Sequence, residues 1–271
     1  MSAQNPIGVT IKQLQKMRDD NEKIACLTAY DAAFSKLLDE AGMDIILVGD
    51  SLGMVVQGNP STVSVTMEDM IYHTECVANS VSHSLVISDM PFMSYSNIDS
   101  ALYNATRLMQ EGGAQMVKLE ATQRQTEIVG ELSACGIPVC AHLGLRPQYI
   151  HKLGGYLAQG TDTDSANELL TTSTALEAAG ADILLVECIP AKLAAEITKT
   201  VSIPVIGIGA GKDCNGQILV LQDILGITPG KTPPFAKNYM QACSIQNAVA
   251  NYIKEVKAGD FVKRKPDAKT V

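Results

Sequence analysis

Ile45-Ile46-Leu47-Val48-Gly49-Asp50-Ser51-Leu52-Gly53-Met54 is an aliphatic run that stops at a carboxylate, a hydroxyl and a glycine-bearing turn. An unbroken apolar run reads as a strand covered on both faces, and a charge just past its end is where solvent and substrate first reach it. The pattern recurs. Apolar runs at 24–29, 85–88, 116–119, 139–141, 183–186, 205–208 and 218–221, with 45–48, make eight candidate strands. Helical periodicity lies between them at 32–41, 67–82, 99–111, 125–135, 165–179 and 192–200, with Thr66 and Asp69 spaced as a capping box. Glycines Gly42, Gly112, Gly136 and Gly180 close four of these helices, where a left-handed residue stops the helix. Alternating strands and helices call for a parallel sheet with right-handed crossovers. Eight strands predict an α/β fold closed into a (β/α)8 TIM barrel rather than an open doubly wound sheet.

No linker divides the 271 residues. We therefore expect one barrel domain over 1–271, with a short polar N-terminal segment, a helical extension over 239–257 and a tail. Aromatic residues are 4% of the chain and Trp is absent, so Val, Ile, Leu, Ala and Met must build the core. The net charge of −8, relieved only by Lys263-Arg264-Lys265, gives no attraction to nucleic acid or anionic membrane. Met1 to Lys23 lacks an apolar signal region and no run approaches the ~20 residues of a membrane span, so the expectation is a soluble, cytoplasmic protein. The seven cysteines include no CxxC pair, and Cys26, Cys140 and Cys188 sit in or beside apolar runs. They read as small buried hydrophobes rather than disulfides or zinc ligands.

At the strand ends stand Asp31, Asp50 with Ser51, Asp89, Lys118 with Glu120, His142 and Glu187, while the seventh offers only Gly207, Gly209 and Gly211. All are expected on or near one cavity. Asp50 and Asp89, on neighbouring strands, would repel one another without a cation. Hard oxygen donors point to Mg2+, with Glu120 a third ligand directly or through water. Lys118 and Glu120, two apart on a strand, share a face, and the lysine is either a cation for a substrate carboxylate or a Schiff-base nucleophile. Glu187, ending a strongly apolar strand, is the candidate general base. His142 could hydrogen-bond an anionic substrate or shuttle a proton. The loops over 51–65 and 143–164 are long and glycine-bearing, as lids and binding loops are. Gly207-x-Gly209-x-Gly211 lacks GxGxxG spacing and reads as close backbone approach to a ligand or neighbour.

Val48-Gly49-Asp50-Ser51-Leu52-Gly53-Met54, Asp89-Met90-Pro91-Phe92-Met93, Val117-Lys118-Leu119-Glu120, His142-Leu143-Gly144-Leu145, Gly154-Gly155-Tyr156, Leu185-Val186-Glu187-Cys188 and Ile206-Gly207-Ile208-Gly209-Ala210-Gly211 together resemble the ketopantoate hydroxymethyltransferase family. The resemblance implies a (β/α)8 barrel that transfers a one-carbon unit from 5,10-methylenetetrahydrofolate to a small 2-oxo acid, 3-methyl-2-oxobutanoate, through a Mg2+-stabilised enolate. It implies formation of 2-dehydropantoate for pantothenate and coenzyme A, and a homo-oligomer, decameric in known members. Matched by motif, Asp50, Asp89 and Glu120 take the metal positions, Asp50, Ser51, Asp89 and Lys118 the substrate contacts, and Glu187 the proton acceptor. Leu153 stands where the family commonly has Phe, a departure that bears on the lid and on folate contact.

Three other readings fit some of these residues. Similar carboxylates serve Mg2+-dependent carbon–carbon lyases of the phosphoenolpyruvate mutase type. A Schiff-base aldolase could be built on Lys118, and a ligand-binding scaffold could keep the fold without turnover.

Overall fold

In the computed structural model, which describes residues 8–261, eight parallel strands close into a barrel in sequential order. They are β1 (Ile24–Thr28), β2 (Ile45–Val48), β3 (Leu85–Asp89), β4 (Met116–Glu120), β5 (Val139–Gly144), β6 (Ile183–Glu187), β7 (Val205–Ile208) and β8 (Gly216–Leu219). The helices are α1 (Ile11–Asp19), α2 (Ala32–Glu40), α3 (Leu52–Val55), α4 (Met67–Ala78), α5 (Ile98–Gln110) and α6 (Thr126–Ala134). They continue with α7 (Ile150–Leu153), α8 (Thr163–Ala178), α9 (Ala191–Thr200), α10 (Leu221–Leu225) and α11 (Ile245–Lys257). The expected tail Lys263-Arg264-Lys265 lies outside the described residues.

The strands have two apolar faces. One parity, including Leu27, Ile46, Val86, Leu119, Leu184 and Leu219, packs beneath the helices. The other, including Ile24, Cys26, Ile45, Leu47, Leu85, Ile87, Met116, Cys140, Ile183 and Leu185, fills the lumen with aliphatic and sulfur side chains. Truncating a lumen residue such as Leu47 to Ala should cost about 2–5 kcal/mol, because the closed wall cannot collapse onto the void. Leu14 of α1 joins this inner cluster, so the helix caps one end of the barrel. The polar composition of 1–23 concealed that role; Thr10 and Gln13 form its capping box.

Two expected elements differ. The helix predicted over 67–82 ends at Ala78, and the residues after it turn back to Asp39, whose carboxylate accepts the backbone N–H groups of Ser82, His83 and Ser84. The extension predicted over 239–257 becomes helical only at Ile245, behind the Ser244 cap. It packs on its own barrel: the Tyr252 hydroxyl donates to the carbonyls of Cys26 on β1 and Gln217 on β8 at 2.7 and 3.1 Å. Of the four predicted helix-stopping glycines, Gly42, Gly136 and Gly180 are left-handed. At the fourth helix Gly113 takes that conformation (φ 77°), while an added Cβ at Gly112 would lie 2.7 Å from the Leu108 carbonyl oxygen.

No helix intervenes between β7 and β8, which still pair in parallel. The return is made by 209–215, with Gly209 and Gly211 at φ 58° and 88°. These glycines meet packed neighbours, as a Cβ would touch the Phe235 ring at Gly209 and Ala191 at Gly211. All seven cysteines are free, and Cys26, Cys140 and Cys188 are buried. Among the described residues no helix is long and apolar enough to cross a membrane.

Candidate active site

Strand parity builds the site. Four lumen-facing series that begin with apolar residues end in polar ones: Leu85-x-Ile87-x-Asp89, Met116-x-Lys118-x-Glu120, Cys140-x-His142 and Ile183-x-Leu185-x-Glu187. These residues are the C-terminal ends of the strands themselves, which extend one to three residues beyond the predicted limits. With Asp50 and Ser51 they line one cavity of about 400 Å3, a volume that suits a small-molecule site. Asp31 is the exception. It is exposed and caps α2, accepting from the N–H groups of Ala33 and Phe34, and it does not line the cavity.

Asp50, Asp89, Lys118, Glu120 and His142 are all almost fully buried. Lys118 Nζ forms an ion pair with Asp89 Oδ1, and Asp89 Oδ2 accepts the Asp50 N–H at 2.9 Å. Burial disfavours the charged lysine, but Asp89 and Asp50 outweigh it and raise its pKa. An amine whose protonated form is favoured is a weaker nucleophile, which counts against the Schiff-base reading. Burial, reinforced by the charge of Asp89, pushes Asp50 up to about 7. Burial also raises Glu120, with Asp50 adding to the effect.

Gln148, which sequence reasoning passed over, holds these carboxylates together. Its side-chain amide donates to Asp50 Oδ2 at 2.8 Å and to the Met90 carbonyl at 3.0 Å, and its backbone N–H donates to Glu120 Oε1 at 3.1 Å. Its own amide oxygen accepts from the Tyr95 hydroxyl at 2.6 Å. It sits in a short helical turn, Pro147–Tyr149, inside the long loop after β5, where no local pattern marks it. Tyr30 is a second omission: its hydroxyl and Ser51 Oγ are 2.9 Å apart. The two long loops meet over the cavity, where the Tyr156 hydroxyl lies 3.2 Å from Met54 sulfur.

His142 Nε2 lies 3.1 Å from Glu187 Oε2. Burial, then the charge of Lys118, lowers the histidine well below its usual value, so the ring is neutral and the contact is not an ion pair. Neither ring nitrogen has a well-formed hydrogen bond within the protein. Burial raises Glu187 to about 8, Lys118 opposing and Asp89 assisting. The next residue, Cys188, takes a left-handed backbone (φ 48°), a conformation that costs of order 1 kcal/mol or more and is held by hydrogen bonds to Ile208 and Gln159.

The donor set suits a hydrated hard cation. Asp50, Asp89 and Glu120 share the cavity without gathering, among the described residues, into a three-ligand cluster. Glu120 Oε2 is buried and unpartnered, a further oxygen donor on the cavity that Asp50 and Asp89 line. Mg2+ commonly takes one or two carboxylates and keeps several waters.

A family model described as ketopantoate hydroxymethyltransferase matches residues 8–264. Among curated relatives, the 3-methyl-2-oxobutanoate hydroxymethyltransferase of Alkalilimnicola ehrlichii is 58% identical over 96% of this chain and 93% of its own. That of Nitrosococcus oceani is 53% identical over 93% and 96%. Among solved structures, a phosphonopyruvate hydrolase in complex with oxalate and Mg2+ superposes with a TM-score of 0.60 at 15% identity, covering 92% of this chain and 86% of that one. A 2,3-dimethylmalate lyase of the PEP mutase/isocitrate lyase superfamily gives 0.56 at 15%, covering 77% and 80%. At such identities these structures establish the shared barrel and nothing of its chemistry.

Proposed function

The chain belongs to the ketopantoate hydroxymethyltransferase family, and on that premise we propose that it transfers a one-carbon unit from 5,10-methylenetetrahydrofolate to 3-methyl-2-oxobutanoate. The product is 2-dehydropantoate, a precursor of pantothenate and coenzyme A. The observation that carries this reading is the convergence of Asp50, Asp89, Lys118, Glu120, His142 and Glu187 on one buried cavity.

Asp50 and Asp89, with Glu120 as a third ligand directly or through water, would hold Mg2+, whose charge when bound would polarise the keto group and acidify the neighbouring C–H. Lys118 and Ser51 receive the substrate carboxylate, the lysine as a fixed cation and the serine as a hydroxyl donor oriented by Tyr30. Glu187 takes the C3 proton through its carboxylate, and its raised pKa makes it an effective acceptor near neutral pH. Neutral His142 beside it can pass or receive a hydrogen bond without adding charge. The substrate carbanion equivalent then forms its C–C bond to the folate methylene. One water supplies the hydroxyl oxygen as the C–N bonds to the carrier break, leaving tetrahydrofolate. We also read the enzyme as cytoplasmic and homo-oligomeric, on the family resemblance.

The test is formation of 2-dehydropantoate with and without folate and Mg2+, alongside exchange of the substrate C3 proton into solvent. Both transfer and Mg2+-dependent exchange should disappear in Asp50→Asn and Asp89→Asn. Undiminished exchange in those variants would refute the assignment, and folate-independent turnover of a 2-oxo acid would favour the lyase reading.

A further inference from the structure

The proposed metal and carboxylate-binding residues occupy one side of the barrel mouth: Asp50, Asp89, Lys118 and Glu120 belong to β2–β4 and the turn after β2, His142 and Glu187 follow on β5 and β6, and β8 lies across the barrel from β4. On that opposite side the same cavity is walled by Val220, Pro233, Phe235, Lys231 and the carboxylate-bearing Asp223. A small 2-oxo acid bound at the carboxylates and Lys118 leaves this half of the cavity free.

Asp223 is only 3% exposed. Its Oδ1 accepts a hydrogen bond from the Thr228 hydroxyl at 2.5 Å. Among the described residues its Oδ2 accepts none, and the side chain forms no ion pair. Burial raises its pKa, with only the Thr228 hydroxyl opposing. A buried carboxylate without a cation, on a cavity wall, calls for donors from whatever fills that cavity. The 2-oxo acid cannot supply them, since its polar groups are acceptors and its charge has the same sign. A tetrahydropterin can: its ring N–H and adjacent amino group form a side-by-side donor pair that matches a carboxylate, and the flat ring suits an apolar wall.

We propose that Asp223 is a positioning residue that anchors the pterin ring of the one-carbon donor on the β8 side of the cavity. Lys231, on the same wall, provides a cation for the donor's carboxylate-bearing tail. The inference rests on the folate reading above. It makes the two halves of one cavity serve two substrates, the metal and lysine holding the acceptor and Asp223 orienting the donor.

The experiment is a steady-state comparison of the wild type with Asp223→Asn and Thr228→Val, varying 5,10-methylenetetrahydrofolate and 3-methyl-2-oxobutanoate in turn. Asp223→Asn should raise KM for the folate about ten- to a hundredfold, the scale of one lost charge-assisted hydrogen bond, and far more than KM for the oxo acid. Thr228→Val keeps the carboxylate and should have a much smaller effect. An unchanged folate KM in Asp223→Asn, an equal rise for both substrates, or an equal folate effect in Thr228→Val would each overturn the proposal. If Asp223→Asn does not fold, Asp223→Glu replaces it: the displaced carboxylate should still raise folate KM selectively, and no selective rise overturns the idea. If the wild type makes no 2-dehydropantoate from the folate donor, the donor reading fails, and the Asp223 assignment falls with it.

Discussion

Asp89 and Lys118 are register partners on adjacent strands, and their side chains close an ion pair within the barrel. Backbone pairing therefore sets the pair, with little freedom left to either side chain. Both are almost fully buried, so each is the other's main compensation for lost solvation.

Lys118→Met should consequently destabilise the metal-free protein by about 3–5 kcal/mol, because it leaves buried carboxylates without a cation. Added Mg2+ should recover part of that loss, whereas it should stabilise the wild type less. Thermal unfolding with and without Mg2+ checks both statements. A variant as stable as the wild type in chelator would show that the pair carries no such role.

Glu187 is raised to about 8 and must be ionised to accept a proton. Proton exchange at substrate C3 should therefore increase as pH rises through about 8, with bound Mg2+ moving the inflection downward by favouring the ionised form. Glu187→Gln should cut exchange by roughly 10²–10⁴ and remove the inflection. A pH profile of exchange followed by proton NMR makes the test, and a persisting inflection in Glu187→Gln would assign the base elsewhere.

Gln148→Leu should weaken Mg2+ binding about 10–100-fold, the usual effect of removing a group that orients a metal-binding carboxylate. It removes the amide between Asp50 and the Met90 carbonyl while leaving both acids in place. Titration of the variant with Mg2+ by calorimetry gives the ratio directly. Wild-type affinity would mean that Asp50 is oriented by packing alone.

Asp39 on α2 accepts three backbone N–H groups and the hydroxyls of Ser82 and Ser84. Burial opposes its ionisation, but these donors outweigh it and lower its pKa. A depressed carboxylate stabilises the fold fully above its unfolded pKa of about 3.9, and the contribution fades as pH falls through the folded value. Asp39→Ala should therefore cost about 1–3 kcal/mol at neutral pH and progressively less in that acid range, as read from urea melts. A penalty independent of pH would refute the role of the charge.

Much of the site was legible because strand period and chemistry coincide. An aliphatic series ending in Asp, Lys-x-Glu, His or Glu declares both the strand and its accessible end, as in 85–89 and 116–120. Asp31 shows where that logic failed: an Asp after a strand is equally suited to cap the following helix, and only its exposure and bonds to Ala33 and Phe34 tell the two apart. Gln148 and Asp223 were invisible for a different reason. An isolated amide in a loop or acid in a five-residue helix has no periodicity to mark it, and the meaning of Gln148 comes from Asp50, a partner 98 positions away.

The sequence by itself determined the eight-stranded alternation, the family and the polar residues at the strand ends, since these depend on local pattern and on ordered motifs along the chain. Tertiary structure alone decided that α1 caps the barrel, that α11 packs on β1 and β8, and that Asp89 is compensated by Lys118. The physical reason is that closure of the barrel brings together groups distant in sequence. Burial and charge then act through space, and neither can be read from spacing along the chain.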